Sequence, residues 1–173
     1  NRVLEICEGI KTSKLDITWA CRSRIDSVDE ELLSKMKDAG CSRIYYGIES
    51  VDHGVLSAVK KDVEVGQVKD AIKWTKKYGI RAKGFFMVGN PSDTPERVRK
   101  TIEFAKGLDL DFIQVCRTIA KPGTELDKEL IKSCGRDPWR EHVMGNKIQE
   151  RLPTPWTVLS EQDKASLVKE FYL

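Results

Sequence analysis

The chain has 173 residues and a mass of 19.7 kDa, with 40% hydrophobic and 33% charged residues. This composition excludes a disordered, collagen-like or disulfide-scaffold protein, and the length fits one domain, with or without an extension. Lys and Arg number 30 against 27 Asp and Glu, so the net charge of +3 is too balanced to indicate a nucleic-acid partner, and no apolar run approaches the roughly 18 residues of a membrane span.

The first half of the chain alternates helical and strand patterns. Apolar residues at helical spacing predict a helix over Arg2–Ile10, and the β-branched and aromatic run Leu15–Cys21 predicts a strand. A capping-box pattern at Ser27–Glu30 predicts the start of a second helix, which Gly40 ends. Ser42–Ile48 predicts a second strand. Two further helices are predicted, over Asp52–Lys61 and Gly66–Tyr78, the latter ended by Gly79.

The second half continues the alternation. Ile80–Val88 predicts a third strand, which is apolar on both faces near its end, as in a buried parallel strand. Thr94 is the expected cap of a helix that has Pro95 at its first position and stops at Gly107. A fourth strand is predicted over Asp111–Val115, with an extension to Ile119 left open. A helix over Glu125–Lys132 and an irregular tail beyond Cys134 follow, with a last helix capped by Ser160.

Strands that alternate with helices at this spacing predict βα units, and right-handed crossovers make the sheet parallel. The sheet belongs either to part of a barrel or to a doubly wound fold. In both folds, ligands bind at the carboxyl ends of the strands. The segments expected at that edge are 21–26, 47–50, 86–91 and 115–122.

The cysteines and histidines indicate no metal or disulfide framework. The five cysteines are dispersed, so they fit neither a zinc motif nor a set of disulfides, and free thiols in apolar segments suggest a reducing cytoplasm. His53 and His142 are isolated in the sequence, and structural roles are expected for both. Residues 1–8 lack the apolar core of a signal peptide, and because the chain begins inside a helical pattern without Met, we expect a piece of a longer protein.

Charged residues at two strand exits are the first candidates for a site. Glu49, with Ser50 beside it, follows the second strand, and a carboxylate there can accept hydrogen bonds from vicinal hydroxyls; a solvated charge or a cap of the next helix is the alternative. Arg22 and Arg24 at the first strand exit can hold a carboxylate or phosphate, but an internal pair between Arg24 and Asp26 is as well supported.

Other candidates have plain structural alternatives. Gly89 allows a ligand to approach the backbone closely, or simply makes a tight turn. Phe85 and Phe86 can flank a ring, although one of them is expected in the core. Lys60 and Lys61 can meet an anion at the rim or remain solvated. No P-loop, G-x-G-x-x-G or G-x-S-x-G motif is present.

The order of several segments carries a more specific resemblance. In chain order these are WACRSRID (19–26), DEELLSKMKDAGC (29–41), IYYGIES (44–50), GFFMVGNPSDTPE (84–96) and KPGTEL (121–126), followed by DPWREHVMG (137–145) and the terminal EFYL. The run closely resembles the C-terminal part of the radical S-adenosylmethionine (SAM) catalytic domain. The nearest branch is the one that often carries a cobalamin-binding domain and includes the anaerobic magnesium-protoporphyrin ester cyclase.

The resemblance implies an α/β fold: a partial (β/α) barrel of TIM type, with about four parallel strands that correspond to the third to sixth of a six-stranded barrel. It implies that residues 1–133 form the barrel portion and residues 134–173 a C-terminal extension. In such enzymes a [4Fe–4S] cluster held by a C-x-x-x-C-x-x-C loop reduces SAM to methionine and a 5′-deoxyadenosyl radical. This sequence lacks that loop, so the cluster ligands are expected upstream and no stably bound cofactor is expected on this chain.

The resemblance also assigns cofactor-binding residues. Glu49 matches the contact to the SAM ribose hydroxyls, with Ser50 next to it, and Lys61 or Lys60 matches a basic residue that meets the SAM carboxylate. Phe86 to Gly89 matches a strand segment whose backbone lies along the adenine, and Phe85 stands where some relatives have an acidic ribose contact. Arg24 is included as a further candidate without a family role.

Two functions therefore remain open for the chain. The first is a fragment of a radical SAM enzyme, oxidoreductase or methyltransferase, whose substrate is an unknown small molecule; whether an upstream domain binds cobalamin is left open. The second is a non-catalytic α/β binding or accessory domain. A tRNA-modifying enzyme is less favoured because no basic tail is present. We expect neither a nucleic-acid nor a membrane partner, but an unpaired edge at the first strand should favour self-association.

Overall fold

Four parallel strands form one sheet in the order β1–β2–β3–β4. In the computed structural model, which describes residues 2–147 and 152–173, the strands are Trp19–Ser23 (β1), Cys41–Glu49 (β2), Arg81–Val88 (β3) and Phe112–Arg117 (β4). The predicted α/β class is thereby confirmed. A strand order that follows the chain without reversal is that of a barrel segment and differs from a doubly wound sheet.

Helices connect the strands and cover one face of the sheet. The helices that begin at Glu30, His53, Pro95 and Glu161 are capped by the side chains of Asp29, Asp52, Thr94 and Ser160, which confirms the predicted caps Thr94 and Ser160. The helices are Arg2–Thr12 (α1), Glu30–Asp38 (α2), His53–Ala58 (α3), Val65–Lys77 (α4), Pro95–Lys106 (α5), Glu125–Cys134 (α6), Pro138–Val143 (α7) and Glu161–Glu170 (α8).

The first strand begins later than its sequence pattern predicts. Leu15 and Ile17 lie before β1 with 54% and 43% of their surface exposed. Trp19 is already opposite Cys41, the first residue of β2, so earlier residues have no strand residue beside them. The prediction of a strand from Leu15 was therefore wrong by four residues, because sequence pattern does not show where the neighbouring strand starts.

The second helix has a different cap from the predicted one. Ile25–Ser27 forms a short 3₁₀ turn, and the Asp29 carboxylate accepts a hydrogen bond from the Leu32 N–H at 2.7 Å. Asp29 takes over the role assigned to Ser27, because the intervening turn moves the first helical residue to Glu30.

The core lies between the sheet and the helices. Ile44, Tyr46 and Ile48 of β2 alternate with more exposed residues and are almost fully buried. The Tyr46 hydroxyl shares a hydrogen bond of 2.7 Å with Thr75 of α4, which satisfies the one polar group on this apolar side of the strand.

The C-terminal residues are more ordered than the predicted irregular tail. The sequence prediction missed α7, a six-residue helix capped by Asp137. Helix α8 packs against α5, and Phe171 just beyond it places its ring centroid 5.4 Å from that of Phe86. The proposed boundary between residues 133 and 134 falls at the end of α6, and the division at that point stays a prediction.

Among residues 2–147 and 152–173, no helix combines the length and apolarity that crossing a membrane requires.

We predict that Gly40→Ala destabilises the fold by at least about 2 kcal/mol. Gly40 has a φ of +90°, and a Cβ there would overlap the Ile17 carbonyl oxygen just before β1. The control is Gly9→Ala in α1, where a Cβ meets nothing within 4 Å; it should raise the free energy of unfolding by about 0.5–1 kcal/mol. Urea unfolding followed by circular dichroism measures both, and equal stability of the two variants would contradict this account of Gly40.

Candidate functional site

An open cavity of about 670 Å³ lies on the sheet face opposite the helices, toward the carboxyl ends of the strands. All four strands contribute lining residues, and the loop after α3 adds Lys61. This is the edge at which the βα pattern predicts a ligand site.

Glu49 and Lys61 form the polar centre of the cavity. Lys61 Nζ lies 2.9 Å from Glu49 Oε1 and donates a second hydrogen bond to the Gly47 carbonyl at 3.1 Å. The two side chains are only 18% (Glu49) and 23% (Lys61) exposed. The sequence predicts Glu49 and Lys61 as two separate ligand contacts, and the structure shows that they form an ion pair with each other.

The backbone at the end of β2 presents the carboxylate to the cavity. Glu49 has a φ of +68°, and the register with β3 slips between Gly47 and Glu49. A Cβ at Gly47 would lie 2.8 Å from Glu49 Oε1 and 3.2 Å from Lys61 Nζ, so glycine there makes room for the pair. The alternative that Glu49 caps the next helix is wrong, because Asp52 accepts the hydrogen bonds from the Gly54 and Val55 N–H groups.

Ser50 points away from the cavity. It is 5% exposed, its hydroxyl lies 3.2 Å from the Thr101 hydroxyl of α5, and it accepts a hydrogen bond from the Asp52 N–H. In this structure its side chain joins the exit of β2 to α5 and does not border the space beside Glu49.

The two arginines at the exit of β1 differ in their partners. Arg24 donates to both oxygens of Asp26, at 2.8 and 2.5 Å, and this guanidinium holds the pKa of the Asp26 carboxyl below its usual range. The internal pair considered for Arg24 is therefore present. Arg22 instead lies over the ring of Phe85, with its guanidinium carbon 5.8 Å from the ring centroid.

The two phenylalanines of β3 face opposite sides of the sheet. Phe86 is fully buried, and its ring packs on Phe171, so only its backbone borders the cavity. Phe85 faces the cavity and is the phenylalanine whose ring can contact a ligand.

Gly89 lies outside the cavity, in a loop that several hydrogen bonds hold in place. Its φ is +92°, and its N–H donates to Asp93 Oδ2 at 2.8 Å, as does the N–H of Asn90. Trp156 donates its ring N–H to the Gly89 carbonyl at 2.9 Å. The backbone polar groups of Gly89 are thus used within the protein, and the glycine serves a turn at this point.

Sequence reasoning missed other cavity residues. Their signal is the two-residue period of the strands, which places every second side chain on the cavity face. The missed residues are Tyr45 of β2 and Gln114 of β4, whereas Met87, Cys116 and Lys121 lie within the segments predicted at this edge.

The described residues do not provide a cluster site. Residues 2–147 and 152–173 contain no group of three or more His, Cys, Asp or Glu side chains able to hold a metal ion. The cysteines Cys7, Cys21, Cys41, Cys116 and Cys134 are all free thiols. The residues present therefore do not fit an iron–sulfur cluster, which needs several thiolates close together.

Comparison with known proteins identifies the family. A family model described as the radical SAM superfamily matches residues 2–105, more than half of the chain. The chain belongs to the radical SAM superfamily. This confirms the resemblance inferred from the sequence motifs.

The chain matches its curated relatives over only part of their length. An uncharacterized methyltransferase of Pyrococcus horikoshii is 40% identical over 125 residues, which cover 72% of this chain and 27% of the relative. The anaerobic magnesium-protoporphyrin IX monomethyl ester cyclase of Cereibacter sphaeroides is 27% identical over 133 residues, covering 75% and 22% of the two chains. The chain spans about a quarter of the length of these curated relatives.

A solved radical SAM structure has the same fold. The methyltransferase TsrM from Kitasatospora setae, solved with cobalamin and a [4Fe–4S] cluster bound, superposes with a TM-score of 0.65 at 17% identity. The match covers 75% of this chain and 27% of that chain. At this identity the likeness establishes the fold alone, and it agrees with the predicted partial barrel.

We predict that Asp93 makes stability depend on pH. Burial raises the pKa of Asp93 to about 6, although hydrogen bonds from the Asn90 and Gly89 N–H groups oppose that rise. Because the unfolded carboxyl ionises near 3.8, stability present below that pH is lost as the pH rises toward 6. The loss should reach about 2–3 kcal/mol, at 1.36 kcal/mol for each pKa unit.

Asp93→Asn isolates this contribution. Both backbone bonds go to one oxygen, so the amide oxygen can replace it without adding a charge. The variant should gain stability relative to the natural protein as the pH rises from 4 to 7, measured by urea unfolding at each pH. A constant difference across that range would contradict the assignment.

Proposed function

We propose that this chain is the part of a radical SAM enzyme that holds SAM against a cluster bound by other segments of the protein. The observation that carries the proposal is the Glu49–Lys61 pair, which lies at the carboxyl end of β2 inside the cavity. The family model and the barrel fold support the same role. When bound together, SAM and a reduced cluster supply a carbon–sulfur bond that one electron can break.

Glu49 is proposed to bind the ribose of SAM. A carboxylate has about four acceptor sites, and Lys61 uses one of them on Oε1. Two vicinal hydroxyls can therefore donate to the same carboxylate while the ion pair stays in place. The partial burial of Glu49 strengthens these hydrogen bonds relative to those of a fully solvated carboxylate.

Lys61 is proposed to orient Glu49 and to meet the SAM carboxylate. An ammonium group has three N–H donors, and Lys61 gives two of them to Glu49 and the Gly47 carbonyl. The third N–H can donate to the cofactor. The adenine is proposed to lie along the backbone of β3 beside Phe86, because the side chain of Phe86 is buried on the opposite face and only its backbone borders the cavity.

The cluster ligands are proposed to lie upstream of residue 1, since the described residues contain no fitting set. The relatives include a methyltransferase and a cyclase, and the solved neighbour contains cobalamin. A cobalamin domain in the same protein, and methyl transfer or oxidation of a small molecule, are therefore part of the proposal. The second candidate remains an α/β domain that keeps the fold without chemistry, which the lack of a metal-binding group among the described residues favours for this chain taken alone.

The Glu49 variants test the SAM site. In the full-length protein that carries this chain, Glu49→Ala should weaken SAM binding about tenfold or more, because charge-assisted hydrogen bonds contribute roughly 1.5–3 kcal/mol each. Glu49→Gln keeps the shape and one acceptor, so it should weaken binding less. Isothermal titration with SAM measures both.

The matched control is Glu103→Ala, which removes an exposed carboxylate from α5. It should leave SAM affinity unchanged. Glu49→Ala should lower the free energy of unfolding by about 1–3 kcal/mol, because it leaves the Lys61 ammonium, which is only 23% exposed, without its carboxylate partner. Unchanged SAM affinity in Glu49→Ala would remove Glu49 from the site and favour the accessory-domain alternative.

A second prediction concerns the cluster. We expect the 173-residue chain to take up no stoichiometric [4Fe–4S] cluster, because residues 2–147 and 152–173 contain no group of three or more side chains able to hold a metal ion. Anaerobic reconstitution with iron and sulfide, followed by the sulfur-to-iron charge-transfer absorbance, measures uptake. A full cluster on the isolated chain would overturn the proposal that its ligands lie upstream.

A further inference from the structure

A row of cations and aromatic rings crosses the cavity face of the sheet on the amino-terminal side of Glu49. Because side chains alternate along a strand, residues two apart on β2 and on β3 share this face. The register places Arg22 beside Tyr45, and Lys83 between Tyr45 and Phe112. We name the row the cationic ladder; its members are Arg22 of β1, Arg43 and Tyr45 of β2, Lys83 and Phe85 of β3, and Phe112 of β4.

Each cation of the ladder lies against a ring. Lys83 Nζ is 5.1 Å from the ring centroid of Phe85 and 5.6 Å from that of Tyr45. The guanidinium carbon of Arg22 is 5.8 Å from the Phe85 ring. The guanidinium carbon of Arg43 is 5.1 Å from the Phe112 ring and 5.9 Å from the Tyr45 ring. The rings thus hold the charges in place without neutralising them.

No Asp or Glu side chain of the four strands neutralises the positive charges of the ladder. Glu49 is the only Asp or Glu in the four strands, and its carboxylate already pairs with Lys61. Lys83 donates to the Gln114 amide oxygen at 2.7 Å, which is a neutral partner, and Arg43 has a buried Nε without a hydrogen-bond partner. Cations that are partly removed from water, as Arg43 and Lys83 are, carry an energetic cost unless an anion accompanies them.

Barrel interiors are normally filled by bulky apolar side chains, so the ladder is not explained by packing. Three of its members, Arg22, Tyr45 and Phe85, line the same cavity as Glu49. Rings that already accept a cation on one face can stack a flat molecule beside it, and guanidinium and ammonium groups donate to carboxylate or phosphate oxygens. The chemistry of the ladder therefore suits a flat molecule that carries an anionic group.

We propose that the ladder is the substrate subsite of the cavity, and that it takes a planar aromatic anion whose carboxylate or phosphate is bound by Lys83 and Arg22 while its ring stacks beside Phe85 and Tyr45. This inference rests on the proposed function, because it makes the cavity shared between SAM and a substrate. The SAM sulfonium is itself a cation, so the ladder repels that end of the cofactor and separates the two ligands.

The three probes share a naphthalene ring and differ in the group attached to it, which is a carboxylate, a phosphate or a neutral amide. 2-Naphthoate, 2-naphthyl phosphate and neutral 2-naphthamide are titrated into the full-length protein that carries this chain, with SAM titrated in parallel, and binding is followed by calorimetry. We expect at least one of the two anions to bind at least tenfold more tightly than the amide, and the choice between them shows whether the anionic group is a carboxylate or a phosphate. Their affinity should fall as the salt concentration rises.

Two variants and a control assign the subsite. Lys83→Gln and the more exposed Arg22→Gln should each lower the affinity for the preferred anion fivefold or more, with less than a twofold change for naphthamide and SAM. Lys100→Gln removes the same charge from the exposed side of α5 and should change nothing. Because Arg22 lies at the exposed end of β1, its variant tests the proposal even if Lys83→Gln fails to fold.

Several outcomes would overturn the subsite. Equal affinity for naphthoate, naphthyl phosphate and naphthamide, or no binding of any probe, would show that acidic side chains from other segments satisfy the ladder. Loss of SAM affinity in Arg22→Gln without loss of anion affinity would assign the cation to the cofactor. If SAM itself fails to bind while the anions bind as expected, the proposed function fails and the subsite stands.

Discussion

The alternation of side chains along β2 sets the division of the molecule into a packed side and a ligand side. Ile44, Tyr46 and Ile48 must be buried against the helices, so the residues between them necessarily face the cavity. A shift of one residue would bury Arg43 and Tyr45 and expose the core. The position of Glu49 at the cavity rim is therefore fixed by the hydrophobic residues that precede it in the same strand.

Much of the fold could be predicted because local pattern and tertiary structure agree. The strands Ser42–Ile48 and Ile80–Val88 were placed to within a residue or so of Cys41–Glu49 and Arg81–Val88, since each is an apolar run bounded by glycine-containing turns. The predicted start of β1 is wrong because an extended segment becomes a strand only where a neighbouring strand is present, and the residue opposite Trp19 is Cys41, 22 residues further along the chain.

The sequence predicts the edge of the sheet that carries the candidate site and its central carboxylate, but it does not predict which groups the site residues bond to. The βα pattern places Glu49 at the rim, yet the turn that brings Lys61 back to it passes through Lys60 at a φ of +56°, which no periodicity indicates. Ser50 and Gly89 have suitable positions in the sequence, but their polar groups are used by Thr101 and by Asp93. Whether a rim residue faces a ligand depends on these through-space partners.

The contacts of Gly89 with downstream residues set the order in which this part of the protein can fold during synthesis. Its carbonyl accepts from Trp156, and a Cβ at this position would lie 3.3 Å from Cε of Lys164, a residue of α8 that is itself 2% exposed. Both partners lie more than 60 residues downstream of the loop that they hold. During synthesis the sheet can form as the chain emerges from the ribosome. The end of β3 reaches its final form only after α8 has been translated, so a segment far downstream completes the rim that β3 begins.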